Sequence, residues 1–330
     1  MTTPLRLALP SSGALQQPSL DLLRACGLAV LRSGTRRYTA EIPSLPGVSV
    51  TFQRGSDITA KIEEGSADIG IVGLDRFLDS RREDGDTRVL LELGFGGSQL
   101  VMAVPDAWLD VSSMADLADL ALEFRTKGGD LRVATKYPRL VERHLLENGV
   151  NFFSLIQSSG TLEAAPTMGF ADVIADITDS GVTIRQNRLK QIKGGAIIAS
   201  QACLIGRRLV NGENDEVIGV ARNLVEMIEA HLAAKNYYGI AANIQGETAE
   251  DVTASILPNS DVPGLRVPTI SKVHAPGSDN WFAVTLIVEQ TKLLSVVGQL
   301  RDVGATSVSV SRIDYVFSST CNSHQRLTSP

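Results

Sequence analysis

Residues 173–177 (VIADI) are apolar and β-branched apart from Asp176, which makes them a buried strand with one acid near its C-terminal end. Thr178, Asp179, Ser180, Gly181, Val182 and Thr183 come next as a turn of small and hydroxyl residues. An acid at a strand's end beside a Ser-Gly-x-Thr turn suits a ribose phosphate. The carboxylate accepts hydrogen bonds from two sugar hydroxyls. Backbone N–H groups and the hydroxyls of Ser180 and Thr183 surround the phosphate, and Gly181 permits close approach. The plainer alternative is an ordinary strand-to-turn connection, with Ser180 capping the next element and Asp176 paired to a nearby base.

The segment 67–73 (ADIGIVG) is a second nearly continuous apolar strand. Further strands are expected at 6–10, 48–52, 89–93 and 100–105, with amphipathic helices after the first two. Strands alternating with helices at this spacing imply an open α/β sheet. Pro105 is the expected exit from this first lobe. A second α/β unit runs from about Asp106 to about Gly195, with strands at 131–137 and 152–157 and a helix from Tyr137. A long strand at 196–206 then recrosses, leaving two lobes around a cleft, with ligands at the carboxyl ends of the strands. The boundaries are therefore 1–105 with 196–235 for lobe I, 106–195 for lobe II, and 236–330 for a third domain.

The segment 214–235 is the strongest helix: Asn214 and Asp215 start it, and Val217, Val220, Leu224 and Ile228 share one stripe. His231 beside that stripe reads as a packed histidine. Beyond it the pattern runs βαββαβ, the ferredoxin-like order. Residues from about Ser318 read as a frayed end.

The formal charge of −6 argues against a general nucleic-acid partner, and no apolar run reaches membrane-spanning length. The N-terminal residues lack a signal-peptide pattern, so the expected location is cytoplasmic. Cys26, Cys203 and Cys321 are too few and too scattered for a disulfide frame or zinc site. Two of them are expected to be buried. With four histidines and no Ser-His-Asp or Cys-His motif, histidine catalysis is not expected.

Glu163, Gly169, Ala171, Ile174, Asp176, Ile177, Ser180, Gly181 and Thr183 together resemble the signature of the ATP phosphoribosyltransferase family. RLALPSSGAL (6–15), ADIGIVGLD (67–75), RVATKYPRL (132–140) and ACLIGR (202–207) resemble its other blocks, in the family's order. The resemblance implies an α/β fold: a two-lobed, periplasmic-binding-protein-like catalytic unit with a C-terminal ferredoxin-like, ACT-like α+β domain. It implies a Mg²⁺-dependent condensation of ATP with 5-phosphoribosyl 1-pyrophosphate (PRPP), the first step of histidine biosynthesis. Feedback inhibition by histidine and a homo-oligomer, a hexamer, are implied as well, with no nucleic acid and no membrane.

By the same resemblance, Asp176 holds the ribose diol and Ser180, Gly181, Val182 and Thr183 the 5′-phosphate, with Thr178 and Asp179 also among the PRPP-binding residues. Arg54 faces the pyrophosphate, Arg37 is another cleft arginine on the ATP and pyrophosphate side, and Asp176 and Arg54 are the catalytic pair. Ser11, Ser12, Gly13 and Gly73 lie on the ATP and pyrophosphate side, with Gly70 and Val72 in the cleft floor. Glu163 either orients the loop or holds a Mg²⁺ water. Mg²⁺ arrives with the diphosphate, without a protein cage. Thr269, Ser271 and Ala305 are the implied histidine contacts, between neighbouring modules.

The chain also departs from the family pattern. Ala14 stands where the family carries an arginine, and Gly94–Gln99 replaces Asp-Phe-Gly-x-Cys-Arg. Arg36, Lys136 and Arg139 are the candidates to restore that charge. The same features suit two other function classes: a nucleotide- or solute-binding protein, and a catalytically weakened member serving as a regulatory subunit.

Overall fold

The computed structural model describes residues 4–32, 34, 38–158, 160, 162–209, 215–256, 268–273 and 280–328. The N-terminal strands are β1 (Leu5–Pro10), β2 (Thr39–Glu41), β3 (Val48–Gln53), β4 (Ile69–Gly73) and β5 (Arg88–Glu92). Helices α1 (Gln16–Ala25), α2 (Ile58–Glu63) and α3 (Leu74–Ser80) lie between them. Next come β6 (Ser98–Pro105), α4 (Met114–Thr126), β7 (Leu131–Thr135), α5 (Pro138–Glu147), β8 (Phe153–Gln157), β9 (Val173–Thr178), α6 (Val182–Gln186), β10 (Leu189–Ser200) and β11 (Ala202–Gly206). One sheet runs β2-β3-β1-β4-β11-β5 and the other β10-β6-β9-β7-β8.

The two lobes repeat one plan. Leu5↔Val48 and Leu7↔Ile69 pair in parallel in the first, as Leu131↔Phe153 and Val133↔Val173 do in the second. Arg6 donates its backbone N–H and its Nε to Asp68 Oδ2, and its Nη2 to Asp68 Oδ1 at 2.7 Å. Arg132 repeats all three bonds on Asp172. Each arginine thus ties the strand it opens to the acid preceding the neighbouring strand.

The strand over 100–105 is expected in lobe I. It pairs instead with β9 and β10, so it belongs to the second sheet. The single strand expected at 196–206 breaks at Gln201 into β10, in the second sheet, and β11, in the first. An apolar pattern marks a strand as buried without saying in which sheet. The two crossings between lobes run side by side: Leu93 N–H donates to Ala202 O at 2.9 Å, and Ala202 N–H to Phe95 O at 2.9 Å.

The chain divides into two compact units, Met1–Arg222 with Asn322–Pro330, and Asn223–Cys321. The division falls within α7 (Asp215–Ala234), ahead of the expected boundary at 236. Asn214 and His274 lie outside the described residues. His231 is satisfied by Asp314 O at 3.0 Å, which fits a packed histidine. In the second unit β12 (Tyr237–Gln245), α8 (Ala249–Ile256), β13 (Thr269–Val273), β14 (Trp281–Glu289), α9 (Leu293–Asp302) and β15 (Thr306–Arg312) form an antiparallel sheet in the order β13-β14-β12-β15. That is the ferredoxin-like arrangement. Alternate residues Ile240, Ala242 and Ile244 of β12, with Phe282, Val284, Leu286 and Val288 of β14, meet Val252 and Ile256 of α8 and Val296 and Leu300 of α9.

The last segment is not frayed throughout. Asn322–Thr328 forms α10, which belongs to the first unit: Leu327 is buried, and Arg326 Nη1 donates to Leu90 O at 3.0 Å. No helix among the described residues is long and apolar enough to cross a membrane. Cys26 and Cys203 are buried, and Cys321 Sγ lies 3.3 Å from Glu229 Oε2.

Candidate active site

A cleft of about 890 Å³ opens between the lobes at the carboxyl ends of the strands. Lobe I contributes Ser12, Ala14 and Leu15 after β1, Gly55 and Ser56 after β3, and Val72, Gly73, Asp75 and Arg76 at the β4–α3 junction. Lobe II contributes Ser98, Lys136, Tyr137, Gln157, Ser158, Ile177, Thr178 and Asp179.

Asp176 shares a face of β9 with Thr178, which lines the cleft, and its residue is 5% exposed. Burial pushes its carboxyl up. Lys136, whose Nζ stands 3.8 Å from Asp176 Oδ2, and the Ile177 N–H, 2.9 Å from Oδ1, pull it back. The charge of Glu163 raises it again and that of Arg76 lowers it; the net direction is up. Glu163 therefore lies within electrostatic reach of Asp176, from a short 3₁₀ turn at Leu162–Ala164.

The turn after β9 is closed by the Gly181 N–H, which donates to Thr178 Oγ1 at 2.9 Å. Gly181 adopts φ 70°, a left-handed conformation that favours glycine. Val182 and Thr183 open α6, where N–H groups have no intrahelical acceptor. Ser180, Val182 and Thr183 are exposed next to cleft-lining Asp179; Glu163, Asp176 and residues 180–183 do not themselves line the cleft.

Several expected residues sit elsewhere. Arg54 is exposed and does not line the cleft, though Gly55 and Ser56 beside it do. Of the turn after β1, Ser12 lines the cleft while Ser11 and Gly13 do not; Ser11 N–H is bound to Gln53 O at 2.7 Å. Gly73 lines the cleft, and a Cβ there would collide with the Asp75 carboxylate. Gly70 faces inward, where a Cβ would meet Ile58 at 2.6 Å, so it serves packing against α2 and not the cleft floor. Arg139 is turned away from the cleft, pairing with Glu83 at 3.2 Å. Arg36 and Arg37 lie outside the described residues.

Asp75, Arg76 and Tyr137 escape sequence reasoning. Asp75 accepts a hydrogen bond from Ser200 Oγ at 2.7 Å, and its own N–H donates to that oxygen at 3.0 Å, across 125 residues of chain. Tyr137 is buried against Asp75, and burial together with that carboxylate pushes its hydroxyl far up. The Arg76 guanidinium lies over the Tyr137 ring at 4.4 Å and donates from Nη1 to Lys136 O at 3.0 Å.

Among known families, the model of ATP phosphoribosyltransferase matches residues 54–230, and that of its C-terminal domain residues 234–315. An Arabidopsis thaliana protein described as chloroplastic ATP phosphoribosyltransferase 1 is 36% identical over 320 residues, covering 95% of this chain and 77% of that one. The ATP phosphoribosyltransferase of Rhodopseudomonas palustris strain BisB18 is 35% identical over 319 residues, covering 96% and 95%. Among solved structures, the Thermotoga maritima ATP phosphoribosyl transferase (HisG:HisZ) complex has a chain that aligns with a TM-score of 0.51 at 23% identity. That alignment covers 68% of this chain and 98% of the other, and it speaks to fold alone.

Proposed function

The chain belongs to the ATP phosphoribosyltransferase family, a pentosyltransferase acting at the first step of histidine biosynthesis, and from that premise we propose how its cleft runs the reaction. Adenine N1 of ATP forms a bond to ribose C1 of PRPP as the C1–O bond to pyrophosphate breaks, the bonding electrons leaving with pyrophosphate. Positive charge grows on the sugar and negative charge on the leaving group, so catalysis rests on positioning and on fixed charge. Asp176 accepts from the ribose hydroxyls, and the 178–183 turn surrounds the 5′-phosphate. The observation that carries this reading is the buried, charged end of β9 set directly behind a turn closed by Gly181 and Thr178.

Mg²⁺ belongs to this proposal. Among the described residues no three His, Cys, Asp or Glu side chains cluster as a metal cage. The neighbouring carboxylates of Asp176 and Glu163 suit a cation carried chiefly by substrate oxygens and water. When bound, Mg²⁺ neutralises charge developing on the departing diphosphate. Mixing the protein with ATP, PRPP and Mg²⁺ tests the reading. Stoichiometric release of pyrophosphate with N1-(5-phosphoribosyl)-ATP is expected; binding of both substrates without turnover would favour a purely regulatory member.

Arg54 stands one residue from cleft-lining Gly55, which supports a rim position facing the pyrophosphate. Because it is exposed, Arg54→Ala is expected to lower kcat/KM by about tenfold to a hundredfold, less than a fully enclosed charge commands. Steady-state kinetics with a circular-dichroism check of folding measure it; a change below threefold removes Arg54 from the machinery.

The second unit is proposed as a histidine-responsive module. Thr269 and Ser271 lie on edge strand β13, and Ala305 immediately precedes the opposite edge strand β15. Three inter-strand spacings, about 14 Å, separate those edges, so a single small ligand meets both sets only where two copies adjoin. This supports a homo-oligomer, the hexamer, with histidine stabilising one quaternary state and inhibiting the cytoplasmic enzyme. Millimolar histidine is expected to lower activity and change the sedimentation coefficient. Indifference of both would contradict the assignment.

A further inference from the structure

The reaction brings together two polyphosphates, yet only two cationic side chains, Arg76 and Lys136, line the cleft among the described residues. Lys136 already faces a carboxylate, with its Nζ 3.8 Å from Asp176 Oδ2. Arg76 has no carboxylate within ion-pair distance among the described residues. Its fixed contacts are a carbonyl, Lys136 O, and the face of Tyr137. Neither contact neutralises the guanidinium, whose charge reaches the carboxylates of Asp176 and Asp79 only through space, without an ion pair. The carbonyl uses one of its five donors, and stacking on the ring leaves the remaining in-plane donors of the fork unspent.

The side chain is held from both lobes. Its backbone belongs to α3 of lobe I, while Lys136 O and Tyr137 come just after β7 of lobe II. Asp75, its neighbour in sequence, is fixed by Ser200 where the chain recrosses between the lobes. The guanidinium is thus preorganised, with little rotamer freedom left to lose when an anion arrives. A planar fork of this kind matches the oxygens of a diphosphate.

We propose that Arg76 is a polyphosphate-binding residue of this cleft, and that the group it holds is the pyrophosphate leaving from PRPP. The choice of pyrophosphate over the ATP phosphates rests on the reading of Asp176 as the ribose anchor. Lys136, the residue whose carbonyl Arg76 grips, itself reaches that anchor, which puts Arg76 near the sugar whose C1–O bond breaks.

Three variants separate charge from packing: Arg76→Lys keeps the charge, Arg76→Met keeps most of the apolar stem, and Arg76→Gln keeps neither. Pyrophosphate with Mg²⁺ and ATP are titrated separately by calorimetry into the wild type and each variant, beside steady-state kinetics. Expected for Arg76→Gln and Arg76→Met alike is a loss of about 10²-fold in kcat. Pyrophosphate affinity should drop at least about tenfold while ATP affinity moves less than about threefold, and Arg76→Lys should recover part of both losses.

If Arg76→Met matches Arg76→Lys, the residue only packs the lobes and the proposal is overturned. If ATP affinity falls and pyrophosphate affinity does not, the assignment to the leaving group is overturned. The pyrophosphate titration needs no turnover. It therefore decides the role of Arg76 even if the wild type releases no product, a result that would instead defeat the functional reading itself.

Discussion

Asp176→Asn is expected to lower kcat/KM for PRPP by about 10³-fold at pH 7 while leaving the fold as stable as the parent, or more so. Two hydrogen bonds from sugar hydroxyls to an ionised acceptor are worth about 1.5–3 kcal/mol each, which sets that scale. The stability half rests on the direction of the pKa. Burial holds the folded-state value above the ordinary 3.8, so the native state grips its proton more tightly than the unfolded chain. Stability contributed by this group is present below the unfolded value and is lost as pH rises through the folded one. At pH 7 the buried charge is therefore a cost, which Asn removes while its carbonyl still accepts from the Ile177 N–H. Guanidinium titration and calorimetry with PRPP measure the two halves. An unfolding free energy lowered by more than about 1 kcal/mol, or PRPP affinity within threefold of the parent, would contradict the account. The same direction predicts that PRPP affinity in the parent weakens as pH falls through the raised value, sooner than for an ordinary aspartate.

Asp68→Ala is expected to do the opposite, destabilising the fold by about 3 kcal/mol without touching the cleft chemistry. Asp68 is 2% exposed and receives Arg6 at 2.7 Å and Arg207 at 2.8 Å. Burial pushes its carboxyl up, but the bonds from Arg6 and Arg207 more than offset that, so the net direction is down. Its contribution is therefore present above the unfolded value and lost as pH falls through the folded one. Removing one member of a buried pair costs about 3–5 kcal/mol, and the lower figure applies because the Arg6 side chain is 32% exposed. The duplicated pair supplies an internal control. Arg132 and Asp172 repeat the Arg6 bonds but are more exposed, at 42% and 13%, and among the described residues Asp172 receives no second arginine as Asp68 receives Arg207, so Asp172→Ala should cost less than half as much. Equal costs at the two sites, read from denaturant midpoints, would show that neither burial nor the second arginine sets the strength of the clamp.

The sequence made the strands legible because β4, β9 and β11 are apolar on both faces, and it made α7 legible because its stripe is regular. It did not reveal which sheet receives β6, since burial looks the same in either. Gly194 and Gly195, where the β10 register shifts, hide the first half of the recrossing strand. Helix α3 adjoins β4 with no linker and α4 is marked mainly by its capping box at Ser113 and Asp116, so both escaped a pattern reading. Leu-Arg-x-Ala at 5–8 and 131–134, with Ala-Asp at 67–68 and 171–172, announces the internal repeat. In the site, the acid and its turn were readable as a local motif. Asp75 and Arg76 were not, because their partners Ser200, Lys136 and Tyr137 come from distant parts of the chain. Arg139 looked available only because Glu83, its partner, is 56 residues away.

The decisive measurement is a crystal structure of the protein with PRPP and Mg²⁺. The ribose hydroxyls are predicted to lie within hydrogen-bond distance of the Asp176 carboxylate, with the 5′-phosphate enclosed by the 178–183 turn and the diphosphate directed toward Arg76. Density for the sugar on the opposite wall, against Ser12 and Gly73, or a 5′-phosphate outside the turn, would contradict it.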